Sequence, residues 1–232
     1  MSLPLRIAWA VFAGLCALML LGMAALHIAS TTVRARIDLV PGAQVSMVVL
    51  RLAPDAPRLS MEFEDPAQAH PPMGYWRSRP ELGEWRPIRK DGSLRFGNPG
   101  ETVKLRVVDQ AQAQIFEALP DGGRSEGLVH RDLVRFVDDG DARTFRWPPL
   151  LASRSIPAGR SALEVSVLEV GDAIRGESVT LVAEPPLGFK RGTGGAIDWL
   201  WYLYFWPAYA LVLGITGVVL ARITRKSSAA AP

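Results

Sequence analysis

The feature that most constrains the fold is an uncharged, strongly apolar run near the C-terminus, from Trp199 to Ala221. At 1.5 Å per helical residue, a run of this length crosses a hydrocarbon core of about 30 Å. Its first half is crowded with the aromatic side chains that gather at lipid headgroups. These are Trp199, Trp201, Tyr202 and Trp206. The sequence therefore predicts a transmembrane helix over 197–221, with these four residues at the membrane interface.

Basic residues give this helix a direction. Arg222, Arg225 and Lys226 follow it directly, and Lys and Arg collect on the cytoplasmic side of membrane helices. We therefore expect 222–232 to be a cytoplasmic tail.

A second apolar run, 7–29, follows a short basic start over 1–6 and predicts another transmembrane helix. The two spans together place both termini in the cytoplasm and the intervening chain in the periplasm. The alternative is a cleaved signal peptide, whose apolar stretch is usually shorter than this run. We favour the uncleaved helix.

Both predicted helices carry small residues at heptad-like spacing. The set comprises Ala10, Gly14 and Ala17 in the first helix, and Ala210, Gly214, Gly217 and Ala221 in the second. Small residues let helix backbones approach closely, which is how membrane helices gain packing energy. In one interpretation the two helices pack on each other through these small residues. In the other, the small residues of one helix bind a partner subunit. The pattern leaves both open.

Between the helices, apolar and polar residues alternate with a period of two. The clearest runs are 33–39, 58–64, 103–107, 163–167 and 179–183. This alternation is typical of half-buried strands. The run 44–52 is apolar on both faces and indicates a central strand.

Turn sequences rich in Gly, Pro and Asp separate these runs, and no convincing amphipathic helix interrupts them. We therefore predict an all-β domain over 30–187, an antiparallel β-sandwich of immunoglobulin-like architecture. A flexible tether over 188–196 joins it to the second helix.

The most unusual stretch of this domain is 66–90, which we expect to be a long loop. It interleaves aromatic residues with arginines: Tyr75, Trp76, Arg77, Arg79, Trp85 and Arg86. Trp, Tyr and Arg dominate binding hot spots, so we predict that these six bind a partner protein, a lipid headgroup or an anionic glycan. In the alternative, the tryptophans cover one end of the domain and the arginines pair with Glu81 and Glu84.

The distribution of charge argues against a nucleic-acid partner. The net charge is +3, but four of the 26 basic residues and one of the 23 acidic residues lie at the membrane flanks. Away from these flanks, the basic and acidic residues are equal in number. The basic excess therefore reflects membrane topology and not a nucleic-acid partner. The single cysteine, Cys16, excludes an intramolecular disulfide.

No catalytic or cofactor motif is present, whether nucleophile elbow, phosphate-binding loop or dinucleotide fingerprint. His70 and His130 lack further ligands at zinc spacing. The cluster of Asp138, Asp139 and Asp141 lacks the spacing of a calcium loop. We therefore expect no cofactor, no metal and no enzymatic activity.

These expectations favour a non-enzymatic accessory or scaffold subunit of a bacterial inner-membrane complex. Its helices would contact the lipid bilayer and other membrane-protein subunits, or a second copy of the chain. A bacterial origin is indicated by 22 Arg against 4 Lys, which is typical of a GC-rich genome. The alternatives are a periplasmic ligand-binding or sensing module that signals through its helices, and an envelope enzyme whose site is assembled from distant residues.

Overall fold

The computed structural model describes residues 2–65, 79–90, 93–110, 112–125, 127–136, 144–146, 155–185 and 202–229. The chain divides into two compact units. One unit contains the helices at the two ends of the chain, and the other is a β domain over 31–186.

Helix α1 spans Leu3–Ala29 and helix α2 spans Tyr202–Ala229, with Pro207 inside the latter. The mean hydropathy of the best window is 2.2 in Leu3–Ala29 and 1.6 in Trp206–Ser227. Both helices are therefore long and apolar enough to span a membrane. Ser30 caps the C-terminus of α1, and its hydroxyl and its backbone N–H both donate hydrogen bonds to the Leu26 carbonyl, at 2.7 Å and 3.0 Å.

The described part of the β domain contains twelve strands. They are β1 (Val33–Asp38), β2 (Gln44–Arg51), β3 (Leu59–Glu64), β4 (Pro87–Lys90), β5 (Ser93–Phe96), β6 (Val103–Asp109), β7 (Gln112–Ala118), β8 (Gly123–Ser125), β9 (Leu128–Arg135), β10 (Thr144–Arg146), β11 (Gly159–Val170) and β12 (Ser178–Ala183). All pairings between them are antiparallel. The prediction of an antiparallel all-β region between two apolar helices is confirmed.

Nine of these strands form one continuous sheet. Its order is β1-β12-β3-β9-β7-β6-β11-β2, with β8 paired to the free part of β9. The two end strands, β1 and β2, follow each other along the chain and contact each other. The sheet therefore curls into a nearly closed barrel. The immunoglobulin-like sandwich is not confirmed, because hydrogen bonds connect these strands in a single path.

Strand β2 differs from the prediction of a central strand over 44–52. It lies at the end of the sheet path, and among the described strands it pairs with β11 alone. Met47 and Val49 point into the barrel and are buried, whereas Val48 and Leu50 are each 44% exposed. The prediction of a central position was wrong because an apolar run on both faces can also result from a strand with an exposed apolar outer face.

Alternate side chains of the main sheet fill the barrel. The largest apolar ones that are fully buried include Phe63, Phe116, Met61, Leu105, Leu163 and Leu181. Because successive side chains of a strand point to opposite faces, the period of two in the sequence becomes one inward-facing core. Fully burying a side chain of this size contributes roughly 1.5–3 kcal/mol.

Strands β10, β5 and β4 form a separate three-stranded sheet. Phe96 at the end of β5 packs with Leu119 and Val134 in a second, smaller apolar cluster. The structure differs from the prediction of one loop over 66–90: in the described part of that stretch, a 3-10 turn over Pro80–Leu82 is followed by β4. That part of the loop prediction was wrong, because a four-residue strand is too short to show a period.

Candidate interaction surfaces

The two helices form an antiparallel pair. The Trp9 indole N–H donates a hydrogen bond of 3.1 Å to the Thr224 hydroxyl, so the start of α1 lies beside the end of α2. One turn further along α1, the Phe12 ring packs over Gly217, where an added Cβ would lie 3.0 Å from the ring. Trp9 and Phe12 also contact each other edge to face at 5.5 Å. Bulky side chains of α1 therefore fit onto a small residue of α2.

The small residues predicted to pack divide between the two sides of this pair. In α2, Ala210, Gly217 and Ala221 are half-buried at spacings of seven and four, which puts them on the face toward α1. Gly214 is exposed, with open space around the position of a Cβ.

In α1, the predicted seam is turned away from this contact. Ala10, Gly14 and Ala17 are all exposed, and nothing lies within 4 Å of a Cβ added at Gly14. We call these three residues the α1 seam. Their packing against another chain stays a prediction.

Half of the four predicted membrane-interface residues lie outside the described residues. This holds for Trp199 and Trp201, whereas Tyr202 is the first residue of α2 and Trp206 is half-buried one turn later. The position of these four residues at a membrane interface therefore stays a prediction.

Of the six predicted partner-binding residues, Tyr75, Trp76 and Arg77 lie outside the described residues. Arg79 is held within the domain. Its guanidinium makes ion pairs of 2.6 Å with both Glu81 and Glu177, and it lies 5.9 Å from the centre of the Phe63 ring. Burial by itself lowers the pKa of Arg79, but hydrogen bonds to the two carboxylates outweigh it and raise that pKa overall. Arg79 therefore fastens the 3-10 turn to the β domain.

Trp85 and Arg86 are more accessible. The Trp85 ring packs against Phe96 with their centres 5.1 Å apart, and 41% of Trp85 remains exposed. Arg86 pairs with Glu84 at 3.1 Å, but 84% of its side chain is exposed. The contacts expected in the alternative interpretation, Arg79 with Glu81 and Arg86 with Glu84, are thus present. Binding of a partner by these residues stays a prediction.

One buried guanidinium was not predicted from the sequence. Arg131 in β9 is 0% exposed and faces the barrel interior opposite Met61. It donates hydrogen bonds to the carbonyls of Leu119 at 2.7 Å, Glu101 at 2.9 Å and Ala118 at 3.2 Å. Burial lowers its pKa to about 10. Arg131 therefore ties the loop before β6 to the segment after β7.

On the outer face, Glu117 of β7 is almost fully buried at 6% exposure. Its cross-strand neighbours are Lys104 on one side and Val134 on the other. Lys104 pairs with Glu169 at 2.8 Å. Burial raises the pKa of Glu117 from 4.5 to about 6, while the charge of Lys104 acts in the opposite direction.

In the part of the chain that the structure describes, no group of three or more His, Cys, Asp and Glu side chains is arranged to hold a metal ion. His130 Nδ1 lies 3.7 Å from Glu62 Oε1. The same carboxylate oxygen pairs with Arg34 Nη2 at 3.1 Å. His70 and the cluster over 138–141 lie outside the described residues. The expectations of no metal, no cofactor and no enzymatic activity stay predictions.

No protein-family model matches the chain. No curated protein matches it. Among solved structures, it is similar to a protein from Sulfurospirillum deleyianum at 15% identity and a TM-score of 0.36. That similarity covers 68% of this chain and 99% of the other.

Proposed function

We propose that this chain is a non-enzymatic accessory or scaffold subunit of a bacterial inner-membrane complex. In this proposal both helices cross the membrane, both termini are cytoplasmic, and the β domain is presented to a partner in the periplasm. The observation that carries the proposal is the exposed α1 seam, which the contact with α2 leaves uncovered.

The charges at the helix ends support the orientation. Because α1 and α2 are antiparallel, Arg6 lies at the same end of the pair as Arg222, Arg225 and Lys226. Basic residues that flank membrane helices favour the cytoplasmic side. A two-pass arrangement with cytoplasmic termini puts all four of them there.

The shape of the α1 seam supports a helix as its occupant. Ala10, Gly14 and Ala17 follow one another at spacings of four and three, so they form one stripe along the helix. Lipid tails gain nothing from a small-residue stripe, whereas a partner helix gains close backbone packing there. The occupant is a helix of another subunit, or α1 of a second copy.

In the β domain, two of the six predicted partner-binding residues, Trp85 and Arg86, are described and exposed to a partner. Arg79 is already engaged by two carboxylates. An exposed Trp beside an exposed Arg is typical of a binding hot spot. We expect Trp85 and Arg86 to contact the periplasmic partner, with Arg79 acting as a support.

The test is co-purification of the tagged full-length chain from membranes in mild detergent, with Gly14→Leu as the critical variant. We expect the wild-type chain to retain partner subunits in fixed stoichiometry. Apart from the neighbouring backbone of α1, no described atom lies within 4 Å of a Cβ at position 14, so a leucine there leaves the helix pair intact. It fills the seam, and we therefore expect the partners to be lost.

Gly22→Leu is the matched control. Gly22 is on the same helix, is exposed and also has open space around its Cβ position, but it lies off the α1 seam. This variant should keep its partners. A wild-type monomer, or equal retention by Gly14→Leu, would count against the proposal. A reporter fused after Pro232 tests the orientation independently, because an extracytoplasmic reporter is incompatible with it.

A second function, ligand sensing by the β domain, is favoured by a cavity at one end of the barrel.

A further inference from the structure

A cavity of about 240 Å³ lies where β6 turns into β7. Its apolar lining includes Phe116 and Leu163. Its polar lining consists of Asp109, Gln110, Gln112, Gln114 and Ser155. Apolar side chains combined with converging polar groups are the usual composition of a small-molecule site.

Two acceptor oxygens of the polar lining are buried without a hydrogen-bond partner among the described residues: Asp109 Oδ1 and Gln114 Oε1. A buried acceptor without a donor is unfavourable and uncommon in folded proteins. Burial also raises the pKa of Asp109. Both atoms accept hydrogen bonds, so a ligand that satisfies them must donate.

The charge of the residues that line the cavity indicates the charge of the ligand. None of the described residues that line it is Lys, Arg or His, and Asp109 is the only carboxylate among them. A carboxylate oxygen that is buried without a donor is best satisfied by a cation that also donates hydrogen bonds. An ammonium group does both, since it carries one positive charge and three donors.

Gln110, which follows β6 and lines the cavity, has a strained backbone. Gln110 has a φ of 44°, a left-handed conformation that is unfavourable for a residue with a Cβ. Hairpin turns of this length usually place Gly, Asn or Asp there. A glutamine instead adds a polar side chain to the cavity lining, and strained residues concentrate at functional sites.

We propose that this cavity binds a protonated primary amine carried on a short apolar chain. The ammonium donates to Asp109 Oδ1 and Gln114 Oε1, and the chain lies against Phe116 and Leu163. The same chemistry occurs in a free alkylamine and in the lysine side chain of a partner protein. The inference names a ligand class for the second function, ligand sensing, and stands apart from the subunit proposal, whose carrying observation is the α1 seam.

The test uses the full-length chain in detergent, with thermal unfolding followed by the fluorescence of its seven tryptophans. The probes at pH 7 are n-butylamine, the neutral analogue n-butanol and Nα-acetyl-lysine amide. We expect the unfolding midpoint to rise with amine concentration and not with n-butanol, because a ligand that binds the folded state stabilises it. A shift with n-butylamine alone identifies a free amine as the ligand, and a shift with the lysine derivative identifies a protein side chain.

Asp109→Asn keeps the size of the side chain and removes its charge, so the cavity should remain formed. We expect it to weaken amine binding about tenfold, because the ammonium then donates to a neutral oxygen and not to a carboxylate. Gln114→Met, which removes the second acceptor at similar volume, should also weaken binding. Asp38→Asn, an exposed control in β1, should bind as the wild type does. The proposal is overturned if n-butanol shifts the midpoint equally, if neither amine shifts it, or if both cavity variants bind as the wild type does.

Discussion

Replacing Glu117 with glutamine should change how the stability of the β domain depends on pH. The pKa of this carboxyl rises from 4.5 to about 6 because burial disfavours its ionised form. The side chain is 6% exposed, so solvent screens it little. At 1.36 kcal/mol per unit, a shift of this size corresponds to about 2 kcal/mol.

The sign follows from which state binds the proton more tightly. The folded protein does, so the contribution to stability is fully present below about pH 4.5. It is lost as the pH rises through about 6, because the folded state must then ionise a buried group. The glutamine side chain of the variant cannot ionise. The free energy of unfolding of Glu117→Gln minus that of the wild type should therefore increase by about 2 kcal/mol between pH 4 and pH 7.5.

The assay is urea unfolding of the detergent-solubilised chain at a series of pH values, followed by tryptophan fluorescence. Trp85 is a suitable reporter because it packs on Phe96, whose cluster also contains Val134, the cross-strand neighbour of Glu117. Glu164→Gln, an exposed control in β11, should leave the pH profile unchanged. A difference between Glu117→Gln and wild type that does not vary with pH would refute the reasoning.

Two further substitutions test the buried contacts. Arg131→Met should lower the free energy of unfolding by about 3–5 kcal/mol, since it leaves buried carbonyls without their donor. The control Arg106→Met, on the outer face, should change that free energy little. Similar urea midpoints for the two variants would contradict the stabilising role of Arg131. Gly217→Leu should crowd Phe12 and weaken the helix pair by about 1–3 kcal/mol in an SDS titration. The control Gly214→Leu, where space is open, should leave the stability of the pair unchanged. Equal effects of the two variants would show that the helices are not packed at Gly217.

The helix contact shows why spacing alone could not choose between the two predicted uses of the seams. Small residues at positions 10, 14 and 17 predict a close approach but do not name the neighbour. The neighbour was decided by Phe12, whose ring fits over Gly217, and by Trp9, which donates a hydrogen bond to Thr224. Once these two face α2, helical geometry turns the α1 seam away.

The polar cavity could not be predicted from the sequence for a related reason. In β7, Ala113 and Ile115 alternate with Gln112 and Gln114, and hydropathy favours the first pair as the buried face. The structure buries the opposite face, because Phe116 and Ala118 lie in register with core residues of β6 and β9. The glutamines then follow Phe116 inward, since a strand cannot change its face without a bulge.

The sequence by itself determined the features that depend on local order along the chain. These are the two apolar helices, the strands with a clear period of two and the antiparallel all-β character of the region between them. Only the tertiary structure decided which strands become neighbours, that the sheet curls until β1 meets β2, and which polar groups are enclosed. The physical reason is that periodicity records whether one face of an element is buried, whereas closure and enclosure depend on contacts between residues far apart in the chain.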